Sequence, residues 1–303
     1  MSKTKLGTAW TDFGWQAIHF DVPKGWELGA VSGDFNAGYF RLDDEDMVRL
    51  EVKWEKSKGK LTIGKVVEKH LDEVSKEARK QGIRWSSKRN LKLAKLDGFD
   101  YEIFSFRGGV STIGLVARCH TCERALFIRV FHRAGEPIRN VARRTFETLR
   151  CHAKDGKTHW HFYDFEFDIP EPLRLDKHSL KTGRLELLFK KKQTEMELVR
   201  ISLASVVLGQ KDLGTWFTDF YDKKLQGYRL KQRKGKVRGH GCLVYEGEPL
   251  FARRIRTLFS GRHKLYACTW RCDKSDKLYI FRTTSRSHEQ EKLNRFVETI
   301  NCH

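Results

Sequence analysis

The sequence predicts an α+β protein built from two copies of an antiparallel β-sheet flanked by helices, duplicated in tandem. Three observations carry this expectation. One order of alternating apolar stretches and helical stripes runs twice along the chain. Two openings match, IHFDVPKGWEL (Ile18 to Leu28) and FEFDIPEPLRL (Phe165 to Leu175). Two tails match as well, TFETLRCH and RFVETINCH. Adjacent antiparallel strands with helices set apart from them indicate α+β layers rather than βαβ crossovers. The expected domains are residues 10–152 and 158–303, joined by a short polar linker at 153–157 within CHAKDGKTHW.

Each opening reads as an apolar strand stopped by Pro23 or Pro170, since proline cannot continue a central strand, with Trp26 or Leu173 as the apolar anchor that follows. Two strand-like stretches come next. In copy one, GYFRLDDEDMVRLEVKW alternates around an acidic turn, Asp43 to Asp46; in copy two, GRLELLFKKKQTEMELVRISLA turns at the basic Lys190 to Lys192. Alternation of this kind fits a sheet with one packed and one wet face. The reversal of charge marks both turns as surface. A helix follows, with Thr62 as its N-cap and a stripe of Ile63, Val66, Val67, His70, Leu71, Val74 and Ala78. Its shorter counterpart runs near Asp212 to Gln226, where Trp216, Phe217, Phe220 and Tyr221 are expected in the core. Strands return in FDYEIFSFRGG and STIGLVARCHTCERALFIRVFH, matched by RGHGCLVYEGE and HKLYACTWRCDKSDKLYIFRTT. A closing helix carries Ile138, Val141, Ala142, Phe146 and Leu149 in one copy, and Leu293, Phe296, Val297 and Ile300 in the other.

An FDVPKGW opening, a strand pair, a helix, a run of strands and a terminal helix ending near FETL resemble the MOG1/PsbP-like family of domains. Copy one keeps Phe20, Pro23, Gly25 and Trp26; copy two keeps Phe167 and Pro170 and lacks the Gly-Trp. The resemblance implies an antiparallel sheet flanked by helices in each copy. It also implies a binding module rather than an enzyme, since members include a partner of a nuclear-transport GTPase and an accessory subunit of photosystem II. Tandem copies, strong positive charge and paired cysteines depart from the simple form, and no partner-binding residue carries over.

The 303 residues hold 59 Lys and Arg against 39 Asp and Glu, a formal charge of +20. A field of that sign attracts phosphate backbones; a plainly solvated basic surface is the alternative. No apolar run suits a signal peptide or a membrane span, so no membrane insertion and a cytoplasmic location are expected. There is no phosphate loop, dinucleotide fingerprint, zinc-protease stretch or nucleophile elbow. The function expected is a non-catalytic basic protein that associates with DNA, RNA or a nucleoprotein complex through phosphate contacts. A protein-interaction scaffold and an unrecognised nucleic-acid-processing enzyme are the alternatives.

Six of the seven cysteines fall into two sets: Cys119, Cys122 and Cys151, followed by His152, and Cys268, Cys272 and Cys302, followed by His303. The short spacings in CHTC and CTWRC suit a metal pair, and the later Cys-His supplies the remaining ligands of a Cys3His zinc site in each copy. Two structural Zn2+ ions per chain are expected. Disulfides such as Cys119 to Cys151 and Cys268 to Cys302, or simply buried thiols, are the alternatives.

One basic stretch follows the first helix of each copy. GIRWSSKRNLKLAK offers Arg84, Trp85, Lys88, Arg89 and Lys92. YRLKQRKGKVRGHG offers Tyr228, Arg229, Lys231, Arg233, Lys234, Lys236 and Arg238, with glycines expected to keep it a mobile loop. Basic side chains contact phosphates without reading sequence, and the aromatics would give bases a surface to stack on.

Overall fold

The computed structural model describes residues 9–57, 59, 61–133, 135–250, 263–285 and 295–302. The chain divides into two compact units, Met1–Tyr163 and Asp164–His303.

The first unit opens with β1 (Trp10–Trp15) and β2 (Ile18–Pro23), an antiparallel hairpin turned by Gln16 and Ala17, both at positive φ. Positive φ at both central residues is what a two-residue turn needs to match the strand twist. Next come β3 (Glu27–Gly33), β4 (Ala37–Asp43), β5 (Val48–Lys56), α1 (Ile63–Lys80), β6 (Ser86–Lys88), β7 (Phe99–Arg107), β8 (Ser111–Cys119), β9 (Arg124–His132) and α2 (Ile138–Glu147). The seven strands from β3 form one antiparallel sheet in the order β3-β4-β5-β9-β8-β7-β6. On one face, Val67 and Leu71 of α1 pack with Phe104, Phe106 and Val116. His70 lies in the same stripe, ringed by Phe104, Phe106 and Phe127. Burial pushes its pKa down to about 4, so it packs there as a neutral ring. Thr62 does occupy the N-cap position, but its side chain makes no capping bond.

The chain beyond α2 does not leave the unit at 153–157. Lys154 bridges Lys157 across Asp155 and Gly156, both at positive φ, a tight Asp-Gly turn. That turn starts β10 (Lys157–Phe162), which pairs with β1. The expected linker is therefore a turn inside the first unit, and the division falls after Tyr163.

The second unit holds β11 (Phe165–Pro170), β12 (Arg174–Lys181), β13 (Arg184–Lys191), β14 (Thr194–Ser202), α3 (Ala204–Leu208), α4 (Leu213–Phe220), α5 (Asp222–Leu225), β15 (Tyr228–Val237), β16 (His240–Pro249), β17 (Lys264–Cys272) and β18 (Lys277–Ser285). Its sheet runs β12-β13-β14-β18-β17-β16-β15, the same relative order as the first. The single helix expected from Asp212 to Gln226 is broken near Tyr221 into α4 and α5. Asp212 caps α4, accepting from the backbone N–H groups of Gly214 and Thr215. Trp216, Phe217 and Tyr221 enter a core with Tyr228, Tyr245 and Ile280. Arg295 to Val297 are helical, and Phe296, Val297 and Ile300 are buried; Leu293 lies outside the described residues.

Each unit closes with the same tie. After α2, the N–H of His19 donates to the Arg150 carbonyl and the N–H of Arg150 to the His19 carbonyl, while the Thr148 hydroxyl accepts from the N–H of Asp21. In the second unit the N–H of Asn301 donates to the Glu166 carbonyl, and the Thr299 hydroxyl accepts from the N–H of Asp168. The tail of the closing helix is thereby held against the opening strand.

Phe217 is fully buried and stacks on Tyr245 with ring centroids 4.4 Å apart. Phe217→Ala should destabilise the second unit by about 3–5 kcal/mol in denaturant unfolding. Val206→Ser, at an exposed position of α3, should change it by less than about 0.5 kcal/mol.

Candidate metal centres and basic edges

The hairpin from β8 to β9 and the tail after α2 meet at one corner of the first unit. Cys119 ends β8, Cys122 sits in the turn, and the N–H of Glu123, at positive φ, closes that turn on the Cys119 carbonyl at 3.1 Å. The Arg150–His19 bridge delivers Cys151 and His152 to the same point. The donor atoms of Cys119, Cys122, Cys151 and His152 all lie within 4.8 Å of one another. Cys122 Sγ is 3.5 Å from Cys151 Sγ, Cys119 Sγ 3.5 Å from His152 Nδ1, and Cys151 Sγ 4.0 Å from that nitrogen. A sulfur–sulfur bond needs about 2.05 Å, so the disulfide alternative finds no pair at bonding distance, and none of the seven cysteines is in a disulfide. Tetrahedral zinc with bonds of about 2.0–2.3 Å places its ligand atoms roughly 3.3–3.8 Å apart, close to the separations here.

Arg124, the first residue of β9, is 2% exposed and gives the corner its charge. Its guanidinium donates to the carbonyls of Gln16, Cys151 and Phe35, and it lies 3.8 Å from the centre of the Phe35 ring. The hydrogen bond to Cys151 holds the Cys122 thiol down; burial opposes this, and the Arg124 N–H and positive charge reinforce it, bringing Cys122 to about 5. Its hydrogen bond to Cys122, and then burial, push the Cys151 thiol far up. A lone arginine at a strand start gives no sign of burial, so in sequence Arg124 stands out only as a flank of CHTC.

The second unit builds a different corner. Cys272 ends β17 as Cys119 ends β8, and Asp276, at positive φ, stands where Glu123 does, one residue before the next strand. Aligned by strand ends, Cys119 corresponds to Cys272 and Cys122 to Ser275. Matching CHTC with CTWRC slips this register by four residues, because both cysteines of CTWRC belong to the strand. Cys268 is accordingly set apart from the corner, hydrogen-bonded to Cys242 of β16 beside a pocket of ≈ 230 Å³ that Arg233 and Tyr266 also line. Cys272 and Cys302 gather with His240, the first residue of β16, within 4.8 Å, and Cys302 Sγ is 3.3 Å from His240 Nε2. His240 escapes sequence reasoning because the stretch before it reads as a loop. His303 lies outside the described residues.

That stretch is strand, not loop. The whole of Tyr228–Val237 is the edge strand β15, paired with β16 along its length. Arg233 pairs with Glu246, and Arg238 bonds Glu298 through its N–H and its guanidinium. Arg229, Lys231, Lys234 and Lys236 are exposed. Tyr228 is buried in the core, which removes it as a stacking surface. In the first unit the corresponding edge is the short β6. Trp85 stacks on Phe106 at 5.0 Å and covers α1, and Arg89 clamps Glu102 with two bonds while donating to the Gly64 carbonyl. Both are engaged in the fold. Arg84, Lys88 and Lys92 are exposed. No helix among the described residues is long and apolar enough to cross a membrane.

No protein-family model and no curated protein matches the sequence. Among solved structures the chain resembles a mutant of the protein Mog1, at 8% identity and TM-score 0.33, over 48% of this chain and 95% of that one. It also resembles immunity protein TplEi of T6SS from Pseudomonas aeruginosa. The complex with "L" peptide is 12% identical with TM-score 0.34, over 97% of this chain and 98% of that one. The apo form is 10% identical with TM-score 0.31, over 97% of each. The MOG1/PsbP-like resemblance is thus a weak one, and the α+β architecture rests on the strand order itself.

In metal-free protein, Cys122 should be the first thiol of its corner to be alkylated, at nearly full rate around pH 6–7, where an ordinary thiol of pKa about 8.5 reacts slowly. Cys151 should stay unmodified there. Peptide mass spectrometry after timed iodoacetamide treatment checks this, and Arg124→Leu should slow the Cys122 reaction.

Proposed function

We propose that the protein is a non-catalytic binding protein made of two related α+β modules. Each module is stapled by a structural zinc ion, and the second presents a basic sheet edge to the phosphates of a nucleic acid. The observation that carries the binding reading is β15. Its cations Arg229, Lys231, Lys234 and Lys236 are exposed, with no ion pair to any of them among the described residues. Arg229 with Lys231, and Lys234 with Lys236, are alternate residues about 6.8 Å apart along the strand, and the two pairs project from its opposite faces. Arg84, Lys88 and Lys92 add positive charge at the matching edge of the first module. Contacts of this kind neutralise phosphates and read no bases.

The duplication is supported by the shared strand order and by the two helix tails tied to the opening strands. Zinc is supported by three sulfurs and an imidazole converging at the first corner and by two sulfurs and an imidazole at the second. A reducing compartment such as the cytoplasm suits both. With ligands that assemble only on folding, metal binding free energy becomes folding free energy.

Untagged protein dialysed against a weak chelator should retain close to two zinc ions per chain, one for each cysteine corner. Cys151→Ser should lose one and lower the stability of the first module. Metal content unchanged by that substitution would refute the staple. For binding, four neutralised phosphates give a log–log salt slope of about −3.6 on duplex DNA and about −2.8 on single strands. Reversing Lys231, Lys234 and Lys236 to glutamate should abolish most of that slope, whereas Lys65→Glu, at an exposed position of α1, should not. Retention on a defined complex that survives high salt and nuclease would favour the scaffold reading instead.

A further inference from the structure

A second kind of donor cluster lies in the first unit, apart from the cysteines. The Asp12 carboxylate accepts from three imidazoles: His19 Nε2 and His159 Nε2 at Oδ2, each at 2.9 Å, and His161 Nδ1 at Oδ1, at 3.2 Å. Strand register puts them together. Gly14 is the partner of His19 on β2 and of His161 on β10, so Asp12, two residues earlier, shares a face with both, and with His159 two residues before His161. Gly14 is required at the centre. A Cβ there would stand 2.8 Å from the His159 carbonyl oxygen, so only glycine lets β10 approach and leaves the space between the rings open. The four side chains are 18–32% exposed, so the cluster is open to solvent on one side. Asp21, opposite Asp12, is held by Arg144 at 2.8 Å and is not a competing ligand.

We propose that Asp12, His159 and His161 form a binding site for a divalent transition-metal ion of the zinc, cobalt or nickel class, with His19 orienting the Asp12 carboxylate. Their three donor atoms lie within 4.8 Å of one another. The 2.9 Å contact of His159 Nε2 with Asp12 Oδ2 is near the roughly 3.3 Å edge of a tetrahedron with bonds of about 2.0 Å, and the 3.2 Å contact of His161 Nδ1 falls on the other carboxylate oxygen. Imidazole and carboxylate suit borderline ions, unlike the thiolate corners, which favour softer ones. Three protein ligands also leave a coordination position open toward solvent, where the cysteine corner of the same unit supplies four.

The test is a cobalt(II) titration of the full, untagged chain, followed by absorption and calorimetry. Cobalt in the cysteine corners produces thiolate charge-transfer bands; cobalt on Asp12, His159 and His161 adds only weak d–d bands. Wild-type protein should bind one equivalent more than the charge-transfer signal accounts for. The double variant His159→Ala, His161→Ala should lose that equivalent, by at least about 100-fold in affinity, since even outer-shell changes cost 10–100-fold. Its charge-transfer bands should be unchanged. Failure of the cysteine corners alone would remove those bands and leave the extra equivalent. A folded double variant that binds the extra equivalent as wild type does would overturn the proposal. Should that variant misfold, bound zinc must protect His159 and His161 of wild-type protein from diethyl pyrocarbonate, and equal modification with and without zinc would overturn it as well.

Discussion

The backbone bridge between the tail of the closing helix and the opening strand governs what this chain can do at its cysteines. Arg150 with His19, and Asn301 with Glu166, fix where the last residues run, and in each case the next residue is a cysteine. Without that bridge, a segment following a short helix would fray, and its thiol would sample many positions. With it, Cys151 is held beside the β8–β9 turn and Cys302 beside Cys272. Buried Arg124 adds a second tie in the first unit, because one guanidinium satisfies carbonyls from the β1–β2 turn, the β3–β4 turn and Cys151 itself. A buried cation is tolerated only with such a set of acceptors.

The two corners show how one scaffold accommodates different donor sets. Both put a cysteine at the end of the strand before the turn and another after the closing helix. The turn then supplies Cys122 in one unit and Ser275 in the other, and His240 enters the second from the neighbouring strand. The exchange is possible because β16 begins directly beside the corner, where the first unit has the Gly98 carbonyl accepting from the N–H of His120. Cys268 and Cys242 form a separate thiol pair on the sheet, with Cys242 drawn below its ordinary value by Cys268.

Much of this was legible in the residues. Alternation located β4, β5, β7, β8 and β9 in the first unit and β13, β14, β16, β17 and β18 in the second, and the helical stripes located α1, α2 and α4, because those patterns record burial directly. Convergence of Cys119, Cys122, Cys151 and His152 was legible because spacing and chain order were enough. Three things were not. The four-residue slip at CTWRC arose because a cysteine pair within a strand and one across its turn look alike in sequence. The basic stretch of β15 hides its strand character, since an edge strand with solvent on most sides has no apolar alternation to show. The Asp12 cluster joins residues 147 and 149 positions apart, and only the pairing of β1 with β10 reveals it.

The central claim is that a metal at each corner holds the helix tail to the sheet. Amide hydrogen exchange of the intact chain, before and after zinc removal by a strong chelator, tests it directly. The account predicts that the N–H groups of Arg150, His19, Glu123 and Asn301 lose most of their protection on metal removal, while those between β7 and β8 keep theirs. Equal protection at the four tie points in the two states would contradict it.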